Sequence, residues 1–312
     1  MTEFGFIENI KRAFSTIPSN GFEGIGDDCA VLPTGDGWAL VFTTDVLVEG
    51  VHFLRDAASA AEIGCKSLAV NLSDVAAMGA QPVASMLSLA LTPDAAGEWA
   101  EEFMKGYRKF SERYSVPLIG GDTSKSESGI IVNVVAIGRV RVENIKRRST
   151  AIAGDIVMVG GMLGGSAEGL KDILAGDCDT ENARLHKNPI PQVEEGIWLG
   201  GRPEVHAMMD LSDGLASDLV HILTASGVGA IVDTERIPAV NNVNSAVCGG
   251  EDYKLLFTVE ASAAKSLTDD FCEKFGYSPF AVGEIIASDL HNIVWRKNGV
   301  VTTPGWSGFS HF

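Results

Sequence analysis

The chain has 312 residues, is 46% hydrophobic and 21% charged, and carries a formal net charge of −17. Those values suit a soluble globular protein with a real core, and the length allows one large domain or two ordinary ones. So acidic a surface argues against nucleic acid and anionic membranes as partners, but not against a small anionic substrate whose metal ions invert the local field.

The N-terminus, MTEFGFIENIKRAF, reads as an opening helix and lacks a basic-then-apolar leader, so no signal peptide is expected. WALVFTTDVLV (38–48), VASMLSLALT (83–92) and GIIVNVVAIGRV (129–140) are β-rich runs. Between them lie KSLAVNLSDVAAMGA (66–80), with apolar residues at helical spacing and one expected packed face, and the amphipathic helix DAAGEWAEEFMKGYRKFSERY (94–114). The polar, basic segment 142–155 separates two halves, and the domains are expected at 1–148 and 149–312. The second half restarts with DIVMVGG (155–161) as strand and SAEGLKDILAG as helix. It continues with EVHAMMD (204–210) as strand, GLASDLVHILTASG (214–227) as helix and GAIVD (229–233) as strand. YKLLFTV and IVWRKNGVVTT close the chain, the latter a hairpin turning at Asn298-Gly299. Helices mixed with tight hairpins predict an α+β architecture rather than a regular parallel series. No apolar run approaches the roughly 20 residues that span a membrane. The five cysteines (29, 65, 178, 248, 272) show no CxxC and are expected as reduced thiols of a cytoplasmic protein.

Six acidic clusters follow one pattern. They are GIGDDCAV, VFTTDVLVEGVHF, NLSD, IGGDTS, DLSDG and GGEDY. Each sets a carboxylate beside Gly, Ser or Thr, at an expected strand end, turn or helix start. Any one of them is explained by turn or capping chemistry. Together, with Asp following buried-looking runs in VFTTD and HAMMD, they demand compensation, because unpaired buried charge is expensive. The six histidines form no metal-ligand spacing, so the available ligands are carboxylate and hydroxyl oxygens, which suit Mg²⁺. Convergent aspartates of this kind point to a magnesium-nucleotide site, although no P-loop, kinase-type glycine loop or GxSxG elbow occurs. GMLGGSAEG (161–169) is a strand-to-helix turn that would either cradle phosphate or serve as an ordinary cap. In NLSDVAAMG, Asp74 is an awkward helix residue, and Asn71, on the same side, is expected to support it. DLSDGLASD (210–218) echoes that motif loosely.

With these clusters in order, the chain resembles the thiamine-monophosphate kinase family, within the PurM-like superfamily of aminoimidazole ribonucleotide synthetase and selenophosphate synthetase. The resemblance runs through GIGDDCAVL, TTDVLVEGVHF, KSLAVNLSDVAAMGAQP, LIGGDTS, MDLSDGLASDL, GGEDYKLLF and GWSGFSHF. It implies a two-domain α+β fold, with an N-terminal sheet-and-helix domain that pairs in a homodimer and a C-terminal α/β sandwich. It implies ATP-dependent phosphorylation of thiamine monophosphate to thiamine diphosphate, with several Mg²⁺ ions. By motif, Asp28, Asp45, Asp74, Asp122 and Asp210 match metal ligands, with Thr43, Thr44 and Asp213 assisting. Among these, Asp45, Asp122 and Asp210 are the residues expected to matter most for catalysis. Gly121, Asp122, Arg148 and Ser212 match nucleotide contacts, and His52, Glu251 and Phe309 the thiamine monophosphate side. From the residues alone, Arg148 reads rather as a solvated linker arginine, while His52 is equally a structural strand-edge residue and Glu251 a turn residue. Two departures stand out: Phe309 replaces a frequent Tyr, and GMLGGSAEG lacks the Asp that often precedes its Ser. The acceptor implied is already an anionic phosphate, so no strong base is needed and charge neutralisation governs the transfer. Another ATP-using superfamily member and a non-catalytic nucleotide-binding protein are the alternatives. The marks of the former, a reactive N-terminal cysteine or a cysteine-bearing tail, are absent from the sequence, and the complete set of aspartates argues against the latter.

Overall fold

The computed structural model describes residues 3–309; the last three residues of the terminal motif GWSGFSHF lie outside them. Helix α1 (Glu3–Phe14) leads into β1 (Ala30–Pro33) and β2 (Trp38–Val48). Then come α2 (Ala60–Ala77), β3 (Gln81–Leu91), α3 (Glu98–Tyr114), β4 (Leu118–Lys125) and β5 (Ile131–Arg141). These five strands form one sheet in the order β1-β2-β5-β3-β4, antiparallel except for the β3–β4 pair.

After two short 3₁₀ turns the chain builds β6 (Ile156–Val159), α4 (Gly165–Leu174), α5 (Glu181–Lys187), α6 (Val193–Gly200) and β7 (Val205–Asp210). It continues with α7 (Leu215–Ser226), β8 (Gly229–Asp233), α8 (Val243–Cys248), β9 (Leu255–Val259) and α9 (Ala264–Phe275). Strands β10 (Phe280–Ile286), β11 (Ile293–Lys297) and β12 (Val300–Thr302) close it. The second sheet runs β12-β11-β8-β10-β6-β9-β7. This is a mixed α+β fold with two sheets. The last hairpin turns at Asn298 and Gly299, both at positive φ (49° and 79°), as a two-residue turn with right-handed strand twist requires.

Helix α2 is the centre of the molecule. A capping box starts it: Ser59 Oγ accepts from Glu62 N while Glu62 Oε2 accepts from Ser59 N. Gly79, at φ +70°, carries the chain out of it into β3. The sequence pattern predicts one packed face, but 14 of its 18 residues are buried. The reason is that α2 lies between the two sheets, against β2, β3 and β5 on one side and α6 and β7 on the other. Gly64 and Gly106 allow α2 and α3 to touch backbone to backbone; a Cβ on Gly106 would sit 1.9 Å from the Ala61 carbonyl. One apolar core accordingly runs from the first sheet through Leu68, Leu72 and Val75 to Met208 and Phe257 of the second. A separate core fills the outer side of the second sheet around Leu215, Leu219 and Val232.

Among the described residues no helix packs on the opposite face of the first sheet, and its edge strand β4 is exposed along its whole length. Val46, Met86, Leu118, Ile119 and Ile131 are exposed apolar residues of this sheet. The five cysteines form no disulfide. Among the described residues no helix is long and apolar enough to cross a membrane.

Candidate active site

The cleft between the two sheets collects carboxylates from four separate segments. Asp28 lies in the turn before β1. Asp45 sits within β2, not at its end as the sequence pattern suggests, because β2 stays paired with β5 as far as Val48. Asp74 projects from α2, and Asp210 is the last residue of β7. Oxygen atoms of Asp28, Asp74 and Asp210 lie within 4.8 Å of one another. Thr43 donates its hydroxyl to Asp74 Oδ2, and Ser73 donates to Asp210 Oδ2 at 2.5 Å. Asn71 does not support Asp74. It is fully buried, accepts from the Asp45 amide at 3.1 Å and donates to the Ser67 carbonyl at 3.0 Å, so it ties α2 to β2.

Arg148 is the cation that meets this cluster, donating from Nη2 to Asp28 Oδ1. Its amide donates to Asp27 Oδ1 at 2.7 Å. Asp28 Oδ2 and Arg148 Nε are buried and hydrogen-bond to nothing among the described residues. The electrostatic consequence is large. Burial first, then the negative field of Asp28, pushes Asp210 up to about 8, against the bond from Ser73. Burial and the charges of Asp45, Asp210 and Asp28 hold Asp74 well above the usual carboxylate range. Burial, Asp28 and Asp213 push Asp45 up to about 6. Asp218, which accepts from the amides of Asp213 and Gly214, is also raised by burial and by Asp213 and Asp210. A buried set of carboxylate and hydroxyl oxygens short of positive charge has the donor chemistry of a hard divalent cation.

Beside this cluster a cleft of about 520 Å³ is lined by Asp45, Ser212, Asp213, His52, Glu251 and Phe309. Phe309 returns to the cleft through its amide, which donates to the Asp213 carbonyl at 3.0 Å. The Val48 amide donates to His52 Nδ1 at 3.0 Å, fixing the ring in the loop after β2. Lys66 and His186 both meet Glu251. Burial opposes ionisation of Glu251, but Lys66 and then His186 outweigh it and hold its pKa below the usual value.

Three of the residues singled out in the sequence lie elsewhere. Thr44 is on the uncovered face of β2, accepting from Asn133 at 2.8 Å. Gly121 and Asp122 are in the middle of β4, not at a strand end. Register runs Val46–Asn133–Ser88–Asp122, three strand spacings, or roughly 14 Å. The GMLGGSAEG turn is filled from within: Asp252 accepts from the Gly164 and Ser166 amides at the start of α4, at 2.6 and 3.2 Å. A carboxylate of the chain thus takes the place a phosphate would take.

Sequence reasoning passed over Ser73, Lys66, His186 and Asp218. One signal was available for Lys66: Lys66, Val70 and Asp74 recur every four residues on one helix face. Nothing local announces that Ser73 meets Asp210, 137 residues away.

Two family descriptions match the chain: AIR synthase related protein, N-terminal domain, over residues 26–140, and its C-terminal domain over residues 153–296. The thiamine-monophosphate kinase of Buchnera aphidicola subsp. Acyrthosiphon pisum is 35% identical, over 100% of this chain and 99% of that protein. That of Escherichia coli (strain K12) is 36% identical over 97% of each. The solved structure of AaThiL complexed with AMPPCP and TMP superposes with a TM-score of 0.84 at 30% identity, covering 100% of this chain and 97% of that one. Full-length similarity on both sides, on the same two-domain fold, makes the chain a member of the thiamine-monophosphate kinase family.

Proposed function

We propose that the chain transfers the γ-phosphoryl group of ATP to thiamine monophosphate, giving thiamine diphosphate and ADP. The observation that carries this reading is the convergence of Asp28, Asp74 and Asp210 next to Asp45, which lines one cleft together with His52, Glu251 and Phe309. The relatives' name and the pairing of AMPPCP with TMP in the AaThiL structure support it.

Asp28, Asp45, Asp74, Asp210 and Asp213, with the Thr43 hydroxyl, are the residues that would hold magnesium. Bound there, magnesium supplies neutralisation of phosphate oxygens and alignment of donor and acceptor. The chain's own residues do the rest. Arg148 offers a guanidinium to the polyphosphate, and Ser212 a further contact to the nucleotide. Glu251 offers a carboxylate to a cationic ring, and Phe309 a face for it to stack on. No residue is required as a strong base, since the acceptor oxygen is already anionic.

The domains of this reading are 1–148 and 149–312, and the working species is a cytoplasmic homodimer. The uncovered face of the first sheet supports the dimer: an exposed edge strand and a row of exposed apolar residues call for a second copy. Thr44, Gly121 and Asp122 lie on or beside that face and belong, in this reading, to the metal and nucleotide end of the assembled dimer. Incubation with ATP, magnesium and either thiamine monophosphate or thiamine tests the assignment. Chromatography is expected to find thiamine diphosphate from the former and no phosphorylated product from the latter.

A further inference from the structure

Lys66 is 2% exposed, yet it is a lysine in the middle of the protein. Its ammonium lies 3.0 Å from Glu251 Oε1 and 3.1 Å from Glu251 Oε2, and donates to the His52 carbonyl at 3.1 Å. Three donors thus meet three acceptors, which is what a buried ammonium requires. His52 belongs to the N-terminal half of the chain and Glu251 to the C-terminal half. A single side chain from α2 therefore holds both walls of the cleft at this end.

Glu251 itself is held in an unusual backbone conformation. Its φ is +65° and that of Tyr253 is +49°. Both are fixed by the neighbouring loop, with Glu251 N donating to the Ser212 carbonyl at 2.7 Å and Tyr253 N to the Leu211 carbonyl at 2.9 Å. Left-handed residues other than glycine persist where surroundings over-determine them, and they cluster at functional sites. His186 Nδ1 lies 3.3 Å from Glu251 Oε2 and 2.9 Å from Ser166 Oγ. Both partners share one ring nitrogen, so this is no Ser-His-Glu relay, which needs the two nitrogens separately. Burial and then Lys66 push the His186 pKa down to about 4, so its ring is neutral at neutral pH and Lys66 is the full charge facing Glu251 here.

We propose that Lys66 is the positioning residue of the substrate pocket: its two-pronged hold on Glu251 and its bond to the His52 carbonyl fix the carboxylate that receives the substrate's cationic ring. The inference deepens the kinase reading and rests on it. Lys66 acts through Glu251 and does not touch the ring. Asp74 stands eight residues further along the same helix, roughly 12 Å. One rigid element therefore sets the spacing between the ring end and the phosphate end of the substrate.

A double-mutant cycle tests it: Lys66→Met, Glu251→Gln and the pair together, with Lys66→Arg as a charge-keeping variant. KM for thiamine monophosphate, KM for ATP and kcat are measured at saturating magnesium. Lys66→Met is expected to raise KM for thiamine monophosphate about ten-fold or more, with kcat and KM for ATP within about three-fold. In the Glu251→Gln background the same change is expected to add less than about two-fold. The inference is overturned by an unchanged KM for thiamine monophosphate, by equal rises in both KM values, or by a full effect in the Glu251→Gln background. Should Lys66→Met not fold, Lys66→Arg answers instead: its longer planar head is expected to raise KM for thiamine monophosphate about three-fold or more, and an unchanged value overturns the inference. A wild-type chain that converts no thiamine monophosphate overturns the kinase reading together with the inference; active wild type with the contrary kinetics overturns the inference alone.

Discussion

Ser73, in the C-terminal third of α2, donates its hydroxyl to Asp210 at the end of β7, 2.5 Å across the seam between the two sheets. The two echoing motifs NLSD and DLSD therefore meet each other: one supplies a hydroxyl, the other the carboxylate. Within the first motif the next residue, Asp74, faces the same point from the helix side. The seam thus gathers more carboxylates than the single Arg148 guanidinium offsets, and this imbalance governs the expected behaviour of the metal-free chain.

Replacing Asp74 by Asn keeps an oxygen for the Thr43 hydroxyl and removes one of the clustered charges. Metal-free thermal stability is expected to hold or rise by about 1 kcal/mol, while magnesium-dependent turnover falls more than about 100-fold. Thermal melts in chelator and steady-state rates in magnesium check the two halves. A marked loss of metal-free stability would assign Asp74 a structural role.

The pH dependence follows from Asp210, whose folded pKa stands at about 8 against an ordinary value of 3.8. The unfolded chain gives up this proton first. The stabilising contribution is therefore complete below about pH 4 and is lost as pH rises through about 8. Metal-free melting temperature is expected to fall across that window, and Asp210→Asn to flatten the fall. At neutral pH magnesium binding is expected to release protons, seen by calorimetry in buffers of different ionisation enthalpy.

Arg148→Met leaves Asp28 buried without its cation. Denaturant titration in chelator is expected to show a loss of about 3 kcal/mol. Saturating magnesium is expected to recover most of it, because the metal supplies the charge the guanidinium supplied.

At the helix crossing, Gly106→Ala forces a methyl group onto the Ala61 carbonyl, so α2 and α3 must part. A loss of about 1–3 kcal/mol is expected in denaturant titration, since the clash is with backbone and has no flexible end to move.

Light scattering is expected to give twice the chain mass of 33.0 kDa. Ile119→Asp, on the exposed edge strand, is expected to halve that mass and lower turnover. A wild-type mass of 33.0 kDa would rule out the dimer.

Local signals carried much of the architecture. The Asn298-Gly299 hairpin and the strand runs around Asp45 and Asp210 read out of neighbouring residues, whereas the first six residues of α2 and its Ser59/Glu62 capping box were not read. What else did not read out depends on contacts between distant segments. The all-round burial of α2 comes from its place between two sheets, which a helical period cannot announce. Asp45 sits mid-strand because β5, arriving later in the chain, pairs beyond it. Asn71 serves the Asp45 amide because β2 runs beside it. The acidic clusters were visible as a set, and their convergence on Asp28, Asp74 and Asp210 follows from the fold. Lys66 was passed over because a helical lysine ordinarily lies in solvent, and only the loop carrying Glu251 makes it a buried partner.

Phosphorus NMR of the purified chain with ATP and thiamine monophosphate, first with magnesium and then with excess chelator, decides whether metal-dependent phosphoryl transfer takes place. The paired diphosphate signals of thiamine diphosphate are expected to grow alongside ADP in magnesium, and not to grow after chelation. Loss of ATP with the thiamine monophosphate signal unchanged, or formation of thiamine diphosphate undiminished by chelator, would contradict a metal-dependent kinase.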